Sequence, residues 1–92
     1  MFEIVLDKQA DKFLRKCEKN LFDRIVKKIE ELKTNPVPHD SKRVQGYSEP
    51  TFRVRIGDYR ALYRVNHDEK RIVVVKVDKR DKVYSIWPLF FK

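Results

Sequence analysis

Apolar positions recur at one period in the first third of the chain and at another in the second half. Phe2, Ile4, Val5 and Leu6 read as a short opening strand. From Lys8 the spacing lengthens: Ala10, Phe13, Leu14, Cys17 and Leu21 recur every three or four residues, which predicts an amphipathic helix. Asp7 stands where a carboxylate can accept an orphaned backbone N–H at the helix start. Asn20 is the expected break. A second helix follows, with Leu21, Phe22, Ile25, Ile29 and Leu32 on its apolar stripe. It is expected to end near Thr34-Asn35, because Pro36 and Pro38 cannot continue a helix and disfavour it in the residues before them. The two helices together predict an antiparallel hairpin whose charged residues face solvent.

Beyond a polar stretch from Pro36 to Pro50, with a short strand expected around Arg43–Gln45, the period becomes two. Phe52, Val54 and Ile56 alternate with Arg53 and Arg55; Tyr59, Ala61, Tyr63 and Val65 alternate with Arg60, Leu62 and Arg64. Gly57-Asp58 between them is a two-residue turn suited to a tight hairpin. Asn66–Lys70 is a second polar turn. Ile72–Val77 is a β-branched strand expected in the middle of the sheet. The segment from Asp81 to Phe91 is expected to form a short helix, limited by Pro88. The fold class is therefore α+β: an N-terminal strand and a helical hairpin on one face of a small, mainly antiparallel, four-stranded sheet, with a short C-terminal helix. At 92 residues the whole chain, 1–92, is read as a single domain.

The hairpin fixes which residues share a face. A two-residue turn at Gly57-Asp58 sets Ile56 opposite Tyr59, Arg55 opposite Arg60 and Arg53 opposite Leu62, and directly paired residues lie on the same face of an antiparallel ladder. One face then collects Phe52, Val54, Ile56, Tyr59, Ala61, Tyr63 and Val65. The other collects Arg53, Arg55, Arg60 and Arg64 around Leu62. If Val73, Val75 and Val77 of the next strand face the helices, Lys76, Asp78 and Arg80 join the arginines. A slip of one residue would bury the arginines, so packing should hold this register.

Charge sharpens the picture. The chain carries 22 Lys+Arg against 14 Asp+Glu, a formal +8. Residues 1–41 hold nine basic and eight acidic side chains, a net +1, whereas residues 42–92 hold thirteen and six, a net +7. Like charges opposed across a ladder cost roughly 0.2–1 kcal/mol per pair, so an arginine cluster without matched carboxylates implies an anionic occupant. Arginine suits phosphate through its planar fork of donors and its permanent charge. The bland alternative is a solvated basic surface. The longest apolar runs are four residues, as in Ile72–Val75, against about 20 for a membrane span. No secretion signal opens the chain, and the lone Cys17 fits a reducing compartment, so a cytoplasmic location is expected.

The segment from Phe52 to Val65, Phe-Arg-Val-Arg-Ile-Gly-Asp-Tyr-Arg-Ala-Leu-Tyr-Arg-Val, resembles the signature hairpin of the RelE/ParE toxin family. Val74–Tyr84 resembles that family's last core strand and its C-terminal Arg…Tyr element, and the order of elements agrees along the chain. Within the family the RelE branch is the nearer in these motifs. The resemblance implies a toxin of a toxin–antitoxin system that cuts mRNA in the ribosomal A site, with a RelB-like antitoxin, the ribosome and mRNA as partners, and an oligomer formed with the antitoxin. The alternative within the family is a ParE-like inhibitor of DNA gyrase without nuclease activity; a non-catalytic RNA-binding domain is a third reading.

RNA carries its own nucleophile, the 2′-hydroxyl beside the scissile phosphate, so the protein must align it, stabilise charge on the non-bridging oxygens and assist proton movement. No metal and no cofactor is expected. By position in the family motif, Arg60 matches the arginine on the scissile phosphate, Arg80 the one that stabilises charge or assists the leaving group, and Tyr84 the tyrosine that activates the 2′-hydroxyl or stacks on a base. Arg53 and Arg55 stand where well-known RelE toxins have lysines. Always protonated, they are expected to act as electrostatic stabilisers and not as bases. Arg64 and Lys76 complete the expected substrate-binding set. Tyr84 has an alternative reading as a core aromatic of the C-terminal helix, and Lys42 and Arg43 as solvated surface or contacts to RNA backbone. Tyr59, Tyr63 and Cys17 read as packing. His39 and His67 fall in loops and match no catalytic position. Trp87, Leu89, Phe90 and Phe91 either cover the sheet or dock a partner.

Overall fold

The computed structural model describes residues 1–79. Seven elements succeed one another: β1 (Glu3–Leu6), α1 (Lys8–Lys16), α2 (Lys19–Thr34), β2 (Lys42–Arg43), β3 (Thr51–Ile56), β4 (Tyr59–Asn66) and β5 (Arg71–Lys79). The strands form one mixed sheet in the order β1-β5-β4-β3-β2. β1 runs parallel to β5, and the other neighbours are antiparallel. The sheet has five strands and not four, since β2 adds an edge of two residues. That edge is Lys42–Arg43, one residue earlier than expected. The expected C-terminal helix lies outside the described residues.

Asp7 caps α1 as expected, its carboxylate accepting the Lys8 N–H at 2.8 Å. The break between the helices comes earlier than Asn20, at Cys17 and Glu18, both in extended conformation. Starting α2 at Lys19 puts Leu21, Ile25, Ile29 and Leu32 on one buried stripe at spacings of four, four and three. Phe22 sits about 100° round the helix from Leu21 and is exposed, not part of the stripe. α1 packs over β5, and α2 lies against β1 and β3. Cys17 is half-buried against the edge of the core, its thiol directed at the Leu14 carbonyl. Burial raises the thiol's pKa.

The hairpin register is the expected one: Ile56 opposite Tyr59, Arg55 opposite Arg60, Arg53 opposite Leu62. Val54, Ile56, Ala61, Tyr63 and Val65 are buried with the helix stripes in one cluster, with Phe52 and Tyr59 packed at its margin. Phe52 and Tyr63, cross-strand partners on this face, stack with ring centroids 5.8 Å apart. The Tyr63 hydroxyl donates to the Pro36 carbonyl at 2.9 Å and so ties the loop after α2 to the core.

β5 departs from the simple alternation. Lys76 pairs with Leu62 but Val74 pairs with Tyr63, leaving Val75 as the extra residue of a β-bulge. The helix-facing set is therefore Ile72, Val74 and Val77, not Val73, Val75 and Val77. The bulge switches the phase of the strand once. Before it, even-numbered residues point to the core; after it, Val77 does. Val73 falls on the open face opposite Arg64, and Lys76 and Asp78 fall there too, opposite Leu62 and Arg60. Asn66 closes the β4–β5 turn by accepting the Glu69 N–H at 3.0 Å, and Lys70 takes a left-handed φ of 54°.

Candidate anion-binding site

The hairpin turn organises the arginines through its backbone. Gly57 has φ +59° and Asp58 does not share the positive sign, the type II′ pattern that matches strand twist. This turn aims the Gly57 carbonyl at the open face. Arg55 Nε donates to it at 3.2 Å, and Arg60 donates from one terminal nitrogen to the same oxygen at 3.1 Å and to the Tyr59 carbonyl at 2.9 Å. A guanidinium has five N–H donors, so each side chain is anchored while most of its donors stay available. The shared carbonyl dipole also offsets part of the repulsion between two cations that face each other across the ladder. Among the described residues, Arg55, Arg60 and Arg64 form no ion pair.

Arg53, Arg55 and Arg60 line a cavity of about 500 Å³ together with Lys42, Asp40 and Gly57. β2 brings Lys42 directly opposite Arg53. This is a concave surface lined by four cations, of a size to admit a ribose-phosphate unit. Arg64 is not part of it. Four residues along β4 from Arg60, it is about 13 Å away by strand rise. It borders a separate cavity of about 220 Å³ with Glu49, Asn66, Glu69, Arg71 and Val73. Its Nε is buried with no hydrogen-bond partner among the described residues. Lys76 is buried on the open face, across the ladder from Leu62. Leu62 is itself buried but outside the helix-side cluster. Asp78 faces Arg60 in register and accepts the Lys79 N–H at 2.8 Å. Arg80 and Tyr84 lie outside the described residues. His39 and His67 are in loops, as expected; His67 packs edge-on against Phe2.

Three residues near the site carry no signal in the sequence. Asp40 reaches the arginine cavity from the loop after α2, and its carboxylate is held by Lys28 of α2 at 2.7 Å. The hydrogen bond from Lys28 holds Asp40 below the ordinary carboxylate range, and the same bond raises Lys28. Arg24 of α2 reaches the turn, its guanidinium filling the space where a Cβ on Gly57 would stand. Helical periodicity places Lys28 and Arg24 on a solvent face, and Asp40 falls in a polar loop; only the tertiary arrangement brings all three beside the β3–β4 turn. Burial pushes the Tyr63 phenol up to about 12, moderated by Ser41 and reinforced by the Asp40 charge. Tyr63 is thus a neutral packing residue, as read from its face.

Among the described residues, no helix is long and apolar enough to cross a membrane, and no group of three or more His, Cys, Asp or Glu side chains is placed to hold a metal ion.

Known proteins share both sequence and fold with this chain. Residues 4–84 match the family model of the ParE toxin of type II toxin–antitoxin systems. A proposed toxin RelE1 of Methanocaldococcus jannaschii is 35% identical over 87 residues, covering 91% of this chain and 96% of that protein. The archaeal RelE–RelB complex from Pyrococcus horikoshii matches at 30% identity with a TM-score of 0.76, over 86% of this chain and 94% of that one. The RelB–RelE antitoxin–toxin complex from Methanococcus jannaschii matches at 28% identity with a TM-score of 0.70, over 91% and 99%. The family match spans both helices, the hairpin and β5, and the chain belongs to the RelE/ParE family of toxins of type II toxin–antitoxin systems.

Proposed function

We propose that this toxin is a ribosome-dependent endoribonuclease that cuts mRNA in the A site. The observation that carries the reading is the Arg55–Arg60 pair, anchored on one carbonyl and open to a cavity that Arg53 and Lys42 share. In the proposed reaction the 2′-oxygen attacks the phosphorus and the bond to the 5′-oxygen breaks. The products are a 2′,3′-cyclic phosphate and a 5′-hydroxyl. One proton leaves the 2′-hydroxyl and one reaches the departing 5′-oxygen. Negative charge on the non-bridging oxygens rises during attack, and fixed guanidinium groups meet it without reorganising.

Arg60 binds the scissile phosphate, and Arg53 and Arg55 stabilise the developing charge as permanent cations. Arg80 and Tyr84 take the leaving-group and 2′-hydroxyl roles. Lys76 adds charge on the same face, and Arg64, at its distance along β4, serves a neighbouring backbone phosphate. No resident metal or cofactor takes part in this scheme. A RelB-like antitoxin, as in the two related complexes, holds the toxin in an inactive assembly in the cytoplasm, and the whole chain acts as one domain. The second reading, a gyrase inhibitor, is favoured by the name of the matching family model.

The deciding experiment adds purified toxin to translating ribosomes and maps message ends. Cuts in the A-site codon, lost in Arg60→Ala and Arg80→Ala, support the nuclease. Intact message together with stalled gyrase–DNA complexes supports the second reading.

A further inference from the structure

Asp40 is the one acidic side chain among the described residues lining the arginine cavity. A carboxylate there is a resident competitor for phosphate: same charge, same donors, and already present at high effective concentration. It does not compete, because Lys28 of α2 holds it at 2.7 Å. Lys28 is largely covered, with side-chain exposure of 21% against 48% for Asp40, and it also contacts Glu31 at 3.5 Å. Among the described residues, neither Arg55 nor Arg60 forms an ion pair, with Asp40 or with any other carboxylate. We propose that Lys28 is a positioning residue that keeps the Asp40 carboxylate out of the arginine cavity, leaving Arg55, Arg60 and Lys42 free for an RNA phosphate. The inference rests on the anion-site reading above but not on the nuclease step.

The loop bearing Asp40 does not depend on Lys28 for its place. The Tyr63 hydroxyl holds Pro36, and the Ser41 hydroxyl and N–H both donate to Pro38, at 2.8 and 2.9 Å. Removing the lysine therefore releases a carboxylate, not a loop. A freed Asp40 can turn toward the cations that line the same cavity, and its charge opposes an incoming phosphate.

The test uses the full chain without ribosomes and a short, fully 2′-O-methylated oligoribonucleotide, which cannot be cut, followed by fluorescence anisotropy at low salt. Lys28→Met is expected to weaken binding about threefold to tenfold, the range that one uncompensated charge a few ångströms from the ligand gives in a partly wet site. Lys27→Met, which removes the same formal charge from an adjacent exposed position, should weaken it less than twofold. Adding Asp40→Asn to Lys28→Met should restore wild-type affinity, whereas adding Glu31→Gln, which restores the same net charge, should not. Lys28→Arg should bind like wild type.

Equal losses in Lys28→Met and Lys27→Met, or rescue by Glu31→Gln as good as by Asp40→Asn, would show a general charge effect and overturn the inference. So would a double variant Lys28→Met/Asp40→Asn as weak as Lys28→Met, which marks a structural role. If wild type does not bind the probe, or binds it no better than Arg55→Ala/Arg60→Ala, the anion-site reading fails and takes the inference with it.

Discussion

Replacing Arg55 by glutamate should make the protein more stable and less able to bind RNA. Arg55 and Arg60 are direct cross-strand partners next to the turn, with Cβ atoms about 4.5–5.5 Å apart in such a pair. A like-charged pair there costs roughly 0.2–1 kcal/mol, and an opposite pair returns a similar amount. Against this stands the Arg55–Gly57 hydrogen bond of 3.2 Å, on an exposed side chain and so at the low end of about 0.5–1.5 kcal/mol. The net expectation is a gain of about 0.5–1 kcal/mol, or roughly 2–8 °C in melting temperature for a domain of this size. The assay is thermal melting followed by circular dichroism, at low ionic strength and in about 1 M salt, where screening falls to about 3 Å and the gain should shrink. Arg55→Gln, which removes repulsion but adds no attraction, should fall between. A midpoint that drops at low salt, or a gain that survives in high salt, would refute the idea that electrostatic opposition at this pair is a standing cost of the anion site.

Three further outcomes test the frame around the site. Gly57→Ala should cost about 1–2 kcal/mol from the positive φ alone. The Arg24 guanidinium can swing aside from the new Cβ, so in an Arg24→Ala background the loss measured by urea unfolding should be nearly the same. Recovery there would mean that contact, not backbone, sets the cost. Tyr63→Phe should cost about 1 kcal/mol for the hydrogen bond to Pro36. With the phenol held at about 12 against 10.0 when unfolded, wild type gains its tyrosine stability fully below about pH 10 and loses it as pH rises toward 12. The unfolded chain gives up that proton first. Urea midpoints for the phenylalanine variant should fall less steeply over that window; parallel curves would contradict the assignment. Deleting one valine from Val73–Val75 removes the bulge residue yet leaves Ile72, Val74 and Val77 at strict alternation. The shortened chain should fold cooperatively, and failure to fold would show that the bulge's bend, not only the phase of its side chains, is required.

Much of the hairpin is legible from the sequence because two local facts fix it: a glycine turn of two residues and an unbroken alternation on both sides. Arg53, Arg55 and Arg60 therefore land where the pattern puts them. The phase of β5 is not legible in the same way. A run of four β-branched residues, Ile72–Val75, has no polar marker for its phase, and the bulge that moves Val73 and Val75 off the core face is a response to β4 and not a local preference. Arg64 has the right parity but sits too far along the strand, since face patterns give sidedness without distance. Phe22 reads as a stripe residue only because it adjoins Leu21 at the expected helix start; the true break at Cys17-Glu18 carries no strong breaker, and a full helical turn beyond it sets Phe22 about 100° off the stripe. Asp40, Lys28 and Arg24 belong to segments that reach the arginines only through the packing of α2 against the sheet.

The most direct measurement of the central claim is a nitrogen–proton NMR titration of the arginine Nε resonances with the uncuttable oligoribonucleotide. Arg55 and Arg60 should shift together and saturably, while Arg15, paired with Asp11 at 3.0 Å on the far helix, stays still. Shifts spread evenly over all arginines, or none at Arg55 and Arg60, would contradict a phosphate site built around the Gly57 carbonyl.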